Sequence, residues 1–274
     1  MLFSLTLFNN LTIVTALLYA ISAGIAATSI VKDSPAKNQR LLVLSTALIS
    51  IFVHALLVAN SYSVNHVIAN DFFSMLSLVF LVISLLFVFT AVTQPIEMLA
   101  IIVFPFSAAA VLLNFDNAVA SSAPINLETA LQTHIILSIL SYSLLTVAAF
   151  QAVFLSIQEK QLHNRQSSHF INCLPPLQLM ERLLFRVVFL GLCLLTLALA
   201  TGFIFLDDVF GQHIVHKTAL SMLAWILFAT LLCGRRFLGW RGQKAVKWTY
   251  SGYFALMLAY FGSKFVLQLV LNQG

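Results

Sequence analysis

Charge is what this sequence most lacks. Only 8% of its 274 residues are Asp, Glu, Lys or Arg, against roughly a quarter in a soluble globular domain, so the chain cannot clothe a water-facing surface. Glycine and proline are sparse, at 10 and 6 residues, which excludes collagen-like and loop-dominated chains. Cysteine occurs three times, at Cys173, Cys193 and Cys233, with neither a CxxC nor a CxxCH spacing. That excludes covalent haem attachment through CxxCH and offers no thiol–disulfide motif. None of the three falls in a segment expected outside the cell, so an exported disulfide framework has no support. HExxH, an EF-hand loop, a Gly-rich phosphate cradle and a nucleophile elbow are all missing, and no enzymatic activity is expected.

What is there is apolar. Hydrophobic residues make up 61% of the chain, in successive runs of about twenty residues, each long enough to cross a ~30 Å hydrocarbon core as a helix. A transmembrane β-barrel would instead alternate within segments of ~10 residues. The expected fold is therefore all-α, a polytopic transmembrane bundle of about eight helices in a single domain. The spans are predicted at 4–31, 41–59, 72–93, 98–114, 128–158, 184–206, 218–234 and 247–271. The first is read as a retained helix and not a signal peptide, since no basic residue precedes it and no small-residue cleavage site follows.

With eight spans, 12 of the 14 Lys and Arg residues fall in three connections on one side, and only Lys217 and Lys264 on the other. The rich side is cytoplasmic and both termini are periplasmic, in a bacterial inner membrane. The fourth span is the weakest: Pro95 and Glu97 bound it, Pro105 interrupts it, and its inner loop has no basic residue. Helix five, at about 31 residues, would be ~46 Å long and must tilt or project into the cytoplasm. After it, PPLQLMERLLFR predicts a short cytoplasmic interfacial helix.

Ionisable groups inside a membrane are costly and mark candidate sites. His54 and His134 each lie about six residues, or ~9 Å, below the outer surface. Two imidazoles at one depth suit a single metal or haem iron, or a proton relay; equally, each can simply hydrogen-bond a hydroxyl or carbonyl between helices. The outer stretch DDVFGQHIVHKT gathers Asp207, Asp208, His213 and His216, with the histidines on one helical face, as a divalent metal requires. A solvated polar loop reads the same way. Tyr142 and Ser141 lie two turns below His134, on a nearby face. Lys264 suits snorkelling to headgroups or facing an anionic group. The basic run GRRFLGWRGQKAVKW is read as anionic-lipid anchoring with Trp240 and Trp248 at the interface, not as a nucleic-acid patch.

The stretches THIILSILSYSLLTVAAFQAVFL, PPLQLMERLLFR and AWILFATLLCGRRFLGWRGQKAVKW…LAYFGSKFVLQLVL resemble the cytochrome c assembly protein family, particularly its small YpjD-type bacterial inner-membrane branch, related to the CcsA/ResC and HemX haem-handling proteins. They cover most of residues 128–271; the first half is similar mainly in hydropathy and in the placement of His54. The resemblance implies non-covalent haem binding, with His54, His134 and His216 as candidate ligands and Tyr142, Trp225 and Lys264 in support. The chain departs from the family pattern where a Trp-rich WWD motif is expected: it reads LDDVFGQHIVHKTALSMLAW, with Trp225 alone nearby. Cys233 stands where an intramembrane His is expected before GWRG.

The resulting expectation is a haem-binding or haem-handling protein assisting c-type cytochrome biogenesis, with membrane lipids, haem and maturation or other membrane-complex proteins as partners and no nucleic acid. An accessory or regulatory role in divalent-cation transport is the alternative, with Asp207, Asp208, His213 and His216 as an outer capture site. It suffers from the lack of acidic groups within the spans, since Glu97 and Glu128 both lie at ends. A second alternative is an assembly partner of a membrane complex without its own ligand.

Overall fold

A computed structural model describes residues 5–31, 37–65, 72–94, 96–115, 129–164, 174–205 and 215–259. Among the described residues every regular element is helical. They are α1 (Leu5–Val31), α2 (Lys37–Asn65), α3 (Phe72–Thr93), a 3-10 turn (Glu97–Leu99), α4 (Ala100–Leu113), α5 (Thr129–His163), α6 (Leu177–Phe205), α7 (Val215–Leu238) and α8 (Gly242–Met257). The helices pack as two compact units. The first holds α1–α4 and the second α5–α8.

Six of these helices, α1, α2, α3, α5, α6 and α7, are long and apolar enough to cross a membrane. The fourth predicted span is present but short: α4 has 14 residues, about 21 Å. The described part of the eighth, α8, has 16 residues. The helices carry large apolar side chains on their outer faces too, among them Phe52, Phe89 and Ile204 at 65%, 78% and 71% exposure. Lipid tails are as apolar as leucine, so burial alone does not say which face turns inward; packing and hydrogen bonding do. Small residues mark the close approaches. In the second unit a Cβ on Gly191 of α6 would meet Leu145 of α5 at 2.7 Å, and one on Gly252 of α8 would meet Phe228 of α7 at 2.9 Å. Many hydroxyls are satisfied within their own helix, as in Thr12 to the Phe8 carbonyl (2.9 Å) and Thr249 to the Ala245 carbonyl (2.8 Å).

The separate interfacial helix expected from PPLQLMERLLFR is not formed. The carbonyl of Pro176 accepts from the amides of Leu179 and Met180, and the helix begun there runs unbroken to Phe205. No glycine or proline intervenes before Gly191, so nothing ends the first turns.

The weak inner loop before α4 draws its positive charge from another helix. Arg40, in the first turn of α2, donates from Nη2 to the carbonyls of Ala91 (2.6 Å) and Val92 (3.2 Å) at the end of α3, and its Nε lies 2.8 Å from Glu97 Oε1. One guanidinium thus caps orphan carbonyls of α3 and pairs the acid that starts the 3-10 turn. Arg40→Ala should lower the stability of the detergent-solubilised protein by about 1–2 kcal/mol, discounted for partial exposure. Arg40→Lys should recover only part of this in thermal unfolding, because the planar fork is lost. Equal midpoints for wild type and Arg40→Ala would refute the cap.

Candidate functional site

His134 sits in the second turn of α5, facing α6. Its Nδ1 lies 2.8 Å from the Ala198 carbonyl oxygen and 3.2 Å from Thr201 Oγ1. The Thr201 hydroxyl turns its own hydrogen to the carbonyls of Leu197 and Ala198, so towards the ring it can only accept. A carbonyl likewise only accepts. Nδ1 therefore carries the hydrogen, and Nε2 carries the lone pair. Among the described residues Nε2 has no partner, and the side chain is half-buried. An imidazole whose Nδ1–H is held by a backbone carbonyl is oriented as metal-ligating histidines are.

His54 has the opposite character. It is 1% exposed, its Nε2 lies 2.9 Å from Ser77 Oγ, and its Nδ1 lies 3.2 Å from Tyr19 Oη. On the same helix as Ser77, Ser84 Oγ lies 2.9 Å from Ser107 Oγ. Ser107 in turn donates to the Val103 carbonyl at 2.9 Å. These links join α1, α2, α3 and α4, and all five side chains are at most 2% exposed.

Since Ser107 gives its hydrogen to Val103, it accepts from Ser84. Both ring nitrogens of His54 are used within the first unit, where the tyrosine ring also meets the imidazole edge-on at 5.9 Å. Sequence reasoning found the histidine but missed Tyr19, Ser77, Ser84 and Ser107. The available signal was Ser77 and Ser84, seven apart and on one face of an otherwise apolar helix.

A second assembly holds the turn between α7 and α8. Gly239 and Gly242 have φ of 64° and 53°, a left-handed backbone that glycine adopts without penalty. The Gly242 amide donates to Glu181 Oε1 at 2.8 Å, and Glu159 packs its carboxylate against the Gly242 α-carbon. The Trp240 amide bonds the Gly234 carbonyl (3.1 Å), and Arg235 Nη1 bonds the Trp240 carbonyl (3.2 Å). The Arg235 guanidinium also lies 4.7 Å over the Phe185 ring.

Comparison with known proteins places these helices in a lineage. Residues 41–271 match the family model described as Cytochrome C assembly protein. The chain belongs to the cytochrome c assembly protein family. The match takes in both histidines and most of both units. Inner membrane protein YpjD of Escherichia coli (strain K12) is 39% identical over 137 residues, which is 50% of this chain and 52% of that protein. Two proteins named cytochrome c biogenesis protein CcsA are also similar. That of Prochlorococcus marinus (strain MIT 9515) is 29% identical over 89 residues, 32% of this chain and 28% of its own. That of Chlamydomonas reinhardtii is 25% identical over 136 residues, 48% of this chain and 37% of its own. The chain thus aligns with about half the length of YpjD and less of the two CcsA proteins. No solved structure matches. With its spans, the family and the YpjD likeness make the chain a multi-pass protein of the bacterial inner membrane.

The remaining candidates from the sequence are placed as follows. Tyr142, buried, donates its hydroxyl to the Leu256 carbonyl of α8, and Ser141 donates to the Gly191 carbonyl of α6 at 2.9 Å. Neither bonds His134 here. Trp225, midway along α7, donates from Nε1 to Thr196 Oγ1 on α6 at 2.8 Å, the same helix that orients His134. His216 lies in the first turn of α7, with its side chain outside the described residues; Asp207, Asp208, His213 and Lys264 lie outside them altogether. Among the described residues no three His, Cys, Asp or Glu side chains form a metal-binding group.

Proposed function

We propose that this protein binds haem non-covalently through His134 Nε2 and assists c-type cytochrome biogenesis, together with a maturation partner in the membrane. The observation that carries this reading is the imidazole itself, with Nδ1–H held by the Ala198 carbonyl and Nε2 left with its lone pair. Such an imidazole would suit a haem iron, being already in the right tautomer, so binding would cost little reorganisation. Haem, when bound, would supply the metal for this lone pair. Thr201 restrains ring rotation, and Trp225, pinned to Thr196, holds α7 against the helix that orients His134. His216 is the second ligand candidate within the same unit. His54, with both nitrogens committed, is assigned to holding the first unit together. Membership of the family supports the pathway, and the CcsA proteins carry cytochrome c biogenesis in their name.

Ligation needs the neutral ring, so haem should dissociate as the solution becomes acidic enough to protonate the imidazole. The direct test is the visible spectrum of the purified full-length protein with added haem. A Soret band is expected, lost or strongly shifted in His134→Ala and retained in Ser77→Ala. A band unchanged in His134→Ala would overturn the ligand assignment, and no band in the wild type would overturn haem binding.

A further inference from the structure

We infer that the turn between α7 and α8 is a binding site for one anionic phospholipid, whose phosphodiester is held by Arg236, Arg241 and Lys244 and whose acyl chain lies on Phe237 and Leu238. Phe237 and Leu238 are 80% and 69% exposed at the very end of α7, and Arg236, Arg241, Lys244 and Lys247 are exposed beside them. None of these four cations is ion-paired among the described residues, where the ion pair is Arg40 with Glu97 in the first unit. The two carboxylates at the turn do not pair with these cations among the described residues. Glu181 accepts from the Gly242 amide and Glu159 packs on the Gly242 α-carbon.

This is more than a generic excess of positive charge on the cytoplasmic side. The turn is short and its backbone fixed by two left-handed glycines. Arg235 is withdrawn from the surface to bond the Trp240 carbonyl, and Trp240 packs at a tilt against Trp248, ring centroids 5.2 Å apart. The cations that remain project from a scaffold that is already ordered, so a ligand need not order it. The pair Phe237 and Leu238 selects the occupant. A nucleic acid or an acidic peptide would satisfy the cations and leave two large apolar side chains in water. A phospholipid without an amine offers the anion and the hydrocarbon at one interface.

The test uses full-length protein in neutral detergent, titrated with phosphatidylglycerol or phosphatidylcholine of identical acyl chains and followed by native mass spectrometry and thermal unfolding. Phosphatidylglycerol should bind roughly tenfold or more tightly and raise the unfolding midpoint, with phosphatidylcholine doing neither. The single changes Arg236→Gln and Arg241→Gln, both at exposed positions, should each weaken phosphatidylglycerol binding. Phe237→Ser with Leu238→Ser should weaken it while leaving the charge intact. Inorganic phosphate should compete poorly. Equal affinity for the two lipids, unchanged binding in both arginine variants, full displacement by inorganic phosphate, or tighter binding of a single-stranded oligonucleotide would each overturn the proposal. The haem spectrum is read separately, on the same samples, and neither outcome depends on the other.

Discussion

His54→Leu should lower the unfolding free energy by about 3–5 kcal/mol, because leucine fills the volume but strands the hydroxyls of Ser77 and Tyr19 in an apolar interior. Each stranded buried group costs about 1–3 kcal/mol. Tyr19 and Ser77 then each lose the imidazole as partner, and neither has water within reach at 0% and 2% exposure. A double-mutant cycle separates this wiring from simple packing. Tyr19→Phe alone should also destabilise, since it strands His54 Nδ1. Adding His54→Leu to Tyr19→Phe should cost clearly less than the two single losses combined, as neighbours sharing one bond do. Additive losses, measured by denaturant or thermal unfolding in detergent, would show that the histidine and tyrosine act independently.

Gly242→Val should be the most damaging change in the second unit, at about 3 kcal/mol or more. Two causes act together. The backbone at φ 53° costs a residue with a Cβ about 1–2 kcal/mol, and a β-branched residue more. The new Cβ would also overlap the Glu159 carboxylate, so that this side chain must swing away from the turn. Gly239→Val is the control. Its φ is 64°, but a Cβ there meets nothing within 4 Å, so it carries the backbone cost alone. Gly242→Val and Gly239→Val should therefore differ by the overlap. Equal losses in thermal unfolding would mean that the carboxylates exert no constraint on the turn.

How far the sequence could be read depended on whether a feature was local. The bounds of α3 at Phe72–Thr93 coincide with those predicted, because an apolar run bracketed by polar residues is a local signal. The loop before α4 looked deficient because its compensating charge, Arg40, sits on α2 and reaches the end of α3. The predicted span begins at residue 184, yet α6 starts at Leu177, because Glu181, Arg182 and Arg186 lower the local hydropathy without ending a helix. His54 and His134 were both legible as ionisable groups in apolar runs, yet nothing local distinguished them. What separates them is the partner: hydroxyls from two other helices, one at each ring nitrogen, for His54, and a carbonyl and a hydroxyl of α6, both at Nδ1, for His134. Serines such as Ser77 and Ser84 give no hint of their direction when both faces of a helix are apolar.

The polar links buried among α1, α2, α3 and α4 also restrict how this protein can drift. Each link ties two side chains with no water nearby, so a change at one leaves an orphan at the other, and a tolerated change must be accompanied by another next to it. Descendants with phenylalanine at position 19 should rarely keep histidine at position 54. The four helices of the first unit are thereby tied into one mutational neighbourhood, in which substitutions arrive in adjacent pairs or not at all.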